Sequence, residues 1–218
     1  TWALRNSSVV NSGVAPNSHS PTPARRNSAR ATPRTRAHDA VVQMSEFARD
    51  NYRLAVELIW KFDAKKLERL NETEVALVKL EGLLDNYLVK LTDRALTAEE
   101  STRVSELLHT LSDFERIGDY AVNVSESAVV LHDRNITFSP QARAELERLT
   151  AAVGETLDKT VACYQSRQRT LAVQVEPLEE VVDLIAATLK NLHVERLKAG
   201  ECTIELRTQF LELLINLE

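Results

Sequence analysis

The sequence predicts an all-α protein, and three observations predict it. Glycine (5 of 218 residues) and aromatic residues (5%) are scarce, while helix-forming Leu, Ala, Glu and Arg abound. From Val41 onward, apolar residues recur at three- and four-residue intervals almost without interruption. The breaks between those runs carry the capping and stop residues of helices.

Residues 1–40 stand apart. They hold four of the six prolines, many Ser, Thr and Asn, and no apolar periodicity, so they read as a disordered Arg/Ser/Pro-rich leader. The stretch contains six Arg and one acid, Asp39, a charge of about +5. With −5 overall, the body must carry about −10. The leader's Arg-rich, acid-poor composition is that of an organellar transit peptide, but it lacks an amphipathic helix. A leader foreign to the natural chain is the competing reading. An acidic body argues against nucleic acid as the main partner and leaves room for cation binding.

The first helix, about 41–62, places Met44, Phe47, Leu54, Leu58 and Phe62 on one side. The second, about 65–94, carries Leu70, Leu77, Leu80, Leu84, Tyr87 and Leu91. Thr97 with Glu100 forms a capping box that opens the third, about 98–131. The stretch 132–140 (HDRNITFSP) is a break. Within it, Ser139-Pro140 supplies an N-cap and a first-turn proline to a fourth helix, about 140–168. Glu176-Pro177 lies near the start of a fifth, about 172–198. Ala199-Gly200 stops it, and a sixth begins near 201.

Three helices, a break and three more suggest a duplication. LLHTLSDFE (107–115) aligns without gaps on FLELLINLE (210–218), which pairs Leu108 with Leu211, Leu111 with Leu214 and Glu115 with Glu218. The expected organisation is therefore a repeat at 41–135 and a second, C-terminally incomplete one at 136–218, its last helix truncated.

The most informative run is DFERIGDYAVN, 113–123. At about 100° per residue, Glu115 falls about 40° from the centre of the apolar stripe built on Leu111 and Phe114, and Asp119 about 80°. A carboxylate aimed at a core must be protonated, paired or bound to a metal. Glu and Asp one turn apart can chelate a hard or borderline cation. Glu74, Glu81 and Asp85 form a weaker column on the second helix that would complete such a site. By the same count Glu218 lies inside the second stripe. The competing readings are a solvated acidic face and neutralisation by an arginine such as Arg53, Arg69 or Arg143.

Other chemistry is absent. Glu106 and His109 have Glu-x-x-His spacing, but no second copy exists and His109 points away from the stripe. There is no phosphate-cradling glycine loop, zinc-spaced cysteine pair or Ser/His/Asp setting. Cys163 and Cys202 suit thiols in a reducing compartment. No apolar run approaches the ~18–20 residues that cross a bilayer, so the expectation is a soluble, non-enzymatic chain without organic cofactor.

FERIGDYAVNVSE resembles the signature of the PhoU-like family of phosphate-uptake regulators, whose helical repeats carry Glu/Asp-x-x-x-Asp followed by an Asn. The resemblance spans about residues 41–218. It implies two similar three-helix bundles side by side. It also implies metal ions, iron or divalent, at Glu115 and Asp119, with Asn123 one turn on and Glu218 as the remnant of the second motif. Function, as implied, is non-enzymatic regulation of phosphate uptake at the cytoplasmic face of a membrane transporter component, or with a signalling protein, and is compatible with a homo-oligomer. Two alternatives stay open. One is a cytoplasmic C-terminal piece of a sodium-dependent phosphate symporter, and the other is a metal-dependent helical-bundle enzyme.

Overall fold

The computed structural model describes residues 33–92, 96–200 and 204–218. Within them the chain forms α1 (Pro33–Trp60), α2 (Ala64–Thr92), α3 (Ala98–Asp133), α4 (Pro140–Ser166), α5 (Arg169–Lys198) and α6 (Ile204–Leu217). No described helix is long and apolar enough to cross a membrane. Leader residues 1–32, Cys202 and the expected start of the sixth helix near 201 lie outside the described residues.

The first helix begins at Pro33, earlier than the leader boundary at 40–41. Proline is at home in a first turn, where its missing N–H has no partner to lose. The extra turns are anchored by Ala37, buried on the same face as Val41, Met44 and Ala48. Alanine is too small to register as an apolar stripe, and so composition alone assigned 33–40 to the leader.

The caps behave as their residues require. Thr97 accepts from the Glu100 N–H while the Glu100 side chain reaches back to the Thr97 backbone. Ser139 caps α4 ahead of Pro140, and α5 ends at Ala199 with Gly200 at φ +73°. Pro177 lies inside α5 rather than at its start.

Helices α1, α2 and α3 pack on one another, as do α4, α5 and α6. The α1–α4 and α3–α6 contacts hold these two three-helix bundles side by side. One apolar cluster draws on all six helices, including Leu58, Leu70, Ala128, Leu146, Ala186 and Leu213. The alanines on α1, α3, α4 and α5 in that cluster let the backbones approach closely. A second cluster, around Met44, Leu77, Leu88, Leu111 and Phe114, belongs to α1–α3, with Tyr164 of α4 packed against it.

Polar ties cross the seam between bundles. The Tyr52 hydroxyl donates to the Thr150 carbonyl at 2.7 Å, and burial pushes its pKa up. Arg53 donates to Asp158 at 2.6 Å, and the Arg143 guanidinium lies 5.1 Å over the Trp60 ring. Within the second bundle, Arg196 donates to both oxygens of the buried Glu145 carboxylate, at 2.9 and 2.8 Å. Phe210 stacks on His193 at 4.7 Å. Burial, then the charges of Arg196 and Arg207, hold the His193 pKa below its usual value, against a smaller pull from Glu145.

Candidate carboxylate site between the second and third helices

Every acidic residue of the site rests on a helix whose other face is committed to the core. On α2, Leu70, Leu77 and Leu84 are buried and fix the rotation of the helix, which leaves Glu74 and Glu81 at its flank and Asp85 in solvent. On α3, Leu111, Phe114 and Gly118 are buried, so Glu115 sits half-buried at the edge of the packed face and Asp119 beyond it. The two flanks meet. Desolvation raises the Glu115 pKa, and so do the charges of Asp119, Glu81 and Glu74 and a hydrogen bond with Asp119. Glu74 is raised by desolvation and by the charge of Asp119. Glu81 is raised by desolvation and by the charges of Asp85 and Asp119. Glu74, Glu81, Glu115 and Asp119 are thus near enough across the two helices for their charges to act on one another, whereas Asp85 is exposed and acts on Glu81 of its own helix.

Two residues that sequence reasoning passed over build the floor of this site. Asn51 of α1 is fully buried, and its Nδ2 donates to the Leu70 carbonyl at 3.3 Å and to Glu74 Oε2 at 3.5 Å. Its Oδ1 has no partner, and neither does the buried Oε1 of Glu74. Gly118 provides the room. A Cβ there would stand 2.7 Å from Glu74 Oε2 and 3.1 Å from Leu77 Cδ1, so the missing side chain lets the Glu74 carboxylate lie against α3. Asn51 was discoverable, because it sits seven residues from both Met44 and Leu58 on the buried face of α1, a polar misfit of the same kind as Glu115.

Arginine neutralisation is not the arrangement seen for two of the three candidates. Arg53 is engaged by Asp158 and Asp50, and Arg143 by Glu147 and Trp60. Nearby Arg116 hydrogen-bonds Tyr120. Asn123 does not join the carboxylates; it donates to Asn216 Oδ1 of α6 at 3.1 Å, across the seam. Glu218 is also elsewhere, on the second bundle, where it accepts from the Lys190 ammonium.

The donor set fits a hard or borderline cation, since it is all oxygen, mutually repulsive and in part without protein partners. The site is not preformed: among the described residues no group of three or more acidic, His or Cys side chains is already disposed to hold an ion. Carboxylates lacking a counter-charge stand apart, and a cation would have to draw them in.

Residues 41–128 match the family model of the PhoU domain. Over that segment the chain is similar to the PhoU domain. All five carboxylates singled out on α2 and α3, with Asn51 and Gly118, fall inside that segment. The chain is 24% identical over 144 residues to the phosphate-specific transport system accessory protein PhoU homolog of Xylella fastidiosa strain 9a5c, covering 66% of this chain and 59% of that protein. It is 22% identical over 163 residues to PhoU homolog 1 of Thermotoga maritima, with 71% of this chain and 69% of that protein covered. The chain therefore spans about three-fifths of the Xylella protein's length. The fold is that of PhoU from Pseudomonas aeruginosa, at a TM-score of 0.78 and 18% identity over 85% of this chain and 88% of that one. The phosphate transport system regulatory protein PhoU of Streptococcus pneumoniae superposes at 0.74 and 14% identity, over 85% and 86%. The alignments of 144 and 163 residues run past residue 128, so beyond the matched segment the resemblance rests on them and on this shared fold.

Proposed function

We propose that the chain is a non-enzymatic regulator of inorganic phosphate uptake. It acts with a membrane phosphate transporter at the cytoplasmic face, and its first bundle binds a cation through Glu74, Glu81, Asp85, Glu115 and Asp119. The observation that carries the reading is the carboxylate cluster inside the PhoU-domain segment 41–128. Its orphaned Glu74 oxygen and raised carboxyl pKa values are what an ion would satisfy. A bound cation would supply positive charge between α2 and α3, cancelling the repulsion between their flanks and tightening them. Asn51 would hold Glu74 in position from below.

The test is radiolabelled phosphate uptake in a bacterium lacking its own PhoU. The full chain restores regulated uptake and co-purifies with the transporter, while Glu115→Ala/Asp119→Ala does neither and loses bound metal by elemental analysis. Unchanged uptake with a folded, abundant chain overturns the regulatory reading. Equal metal content in the two proteins overturns the cation site.

A further inference from the structure

The two bundles do not carry the same chemistry at corresponding places. Buried residues of α2 follow the spacing Leu70, Leu77, Leu84, Leu88, and α5 repeats it with Val175, Val182, Leu189, His193. Matching these registers puts Glu179 where Glu74 stands, Ala186 where Glu81 stands and Lys190 where Asp85 stands. On the partner helices, buried Thr110, Leu111 and Phe114 match buried Leu213, Leu214 and Leu217, which puts Glu218 at the place of Glu115. The contacts differ by a turn: Glu115 feels Glu81 and Glu74, the counterparts of Ala186 and Glu179, whereas Glu218 pairs with Lys190, the counterpart of Asp85. A column of three carboxylates has become one carboxylate, a methyl group and an ammonium.

We propose that Lys190 is a tethered cation that takes the place of a metal in the second bundle, so that cation binding is confined to the first. This rests on the reading of the first bundle as a cation site. A lysine ammonium is a compact point charge with three donors, able to neutralise a carboxylate as an ion would but not to be withdrawn by dilution or chelation. A divalent ion approaching Glu218 meets that charge and must break the ion pair to enter. Glu179, Asp183 and Asp113 line a cavity of about 300 Å³ together with Glu218, and Arg116 lines it too, a second fixed positive charge beside these carboxylates. The ammonium paired with Glu218 thus replaces an exchangeable positive charge with a fixed one, which makes the molecule asymmetric in its response to cations.

Mn²⁺ titration of the full chain, with helix content followed by circular dichroism, tests this. In a Glu115→Ala/Asp119→Ala background no Mn²⁺ binds. Adding Lys190→Asp creates a site, and Glu218→Gln then removes it. Where Lys190→Asp lowers the helix content, Lys190→Gln, which deletes the charge without adding one, is read instead. The inference is overturned if the background still binds Mn²⁺ through Glu218 with Lys190 in place, or if removing the ammonium creates no site. Wild-type protein that binds no Mn²⁺ overturns the reading of the first bundle, and the Lys190 arms still decide this one.

Discussion

At the scale of single residues, the clustered carboxylates destabilise the fold in the absence of a cation. Glu115 ionises at a higher pH in the folded chain than its ordinary value of 4.5, because burial and its acidic neighbours disfavour the charge. Below 4.5 it is protonated in both states and costs nothing. As pH rises above 4.5 the unfolded chain releases the proton first, so stability falls as pH rises through the folded-state titration of Glu115. Glu115→Gln is therefore expected to stabilise the metal-free chain at pH 7, modestly, because the side chain is only half-buried and solvent screens its charge. Urea titrations should show the gain vanish toward pH 4.5 and reverse when Mn²⁺ is present. Gly118→Ala separates site from scaffold. Alanine gains up to about 1 kcal/mol of helix propensity, but its Cβ must push the Glu74 carboxylate and Leu77 aside. We expect weaker Mn²⁺ binding by isothermal titration with a melting temperature changed by only a few degrees. Glu115 was legible in the sequence through its angle on the stripe. Asn51 was legible in the same way, as a polar misfit on the buried face of α1, but the room that Gly118 makes for Glu74 was not, because close approach is a property of packed helices and not of one.

At the scale of elements, helix ends were legible to within a few residues wherever side chains themselves make the cap. The third helix, expected at about 98–131, spans Ala98–Asp133. Its start is fixed by the reciprocal hydrogen bonds of Thr97 and Glu100, a signal contained in four consecutive positions. Thr97→Ala removes the acceptor for the Glu100 N–H and should cost about 1 kcal/mol by denaturant titration. Thr97→Asp, which keeps an acceptor and adds a favourable charge at the helix N-terminus, should cost little or nothing. Starts that depend on tertiary packing were not legible. The beginning of α1 at Pro33 needs Ala37 to find its buried place, and the register of α5 needs Val175 and Val182 to find theirs. For the same reason the sequence could align Glu218 with Glu115 but could not reveal that Lys190 waits beside it.

At the scale of the whole molecule, duplication does not mean independence. The apolar cluster that includes Leu58, Leu146, Ala186 and Leu213 is contributed by all six helices, so neither bundle can release its share without exposing the other's. The seam adds the Tyr52–Thr150 hydrogen bond, the Arg53–Asp158 pair and the Arg143–Trp60 contact, all between α1 and α4. Separable bundles would each need a closed core, and among the described residues only α1–α3 hold a second cluster of their own. The chain should therefore unfold as one cooperative unit. With Trp2→Phe leaving Trp60 as the sole tryptophan, its fluorescence reports the α1–α4 seam, and far-ultraviolet circular dichroism reports all the helices. The two urea transitions should coincide. Tyr52→Phe, which deletes one seam hydrogen bond worth about 1 kcal/mol, should move both midpoints together. A fluorescence transition preceding loss of helix would show that the bundles part before they melt, and the common core would then not be what holds them together.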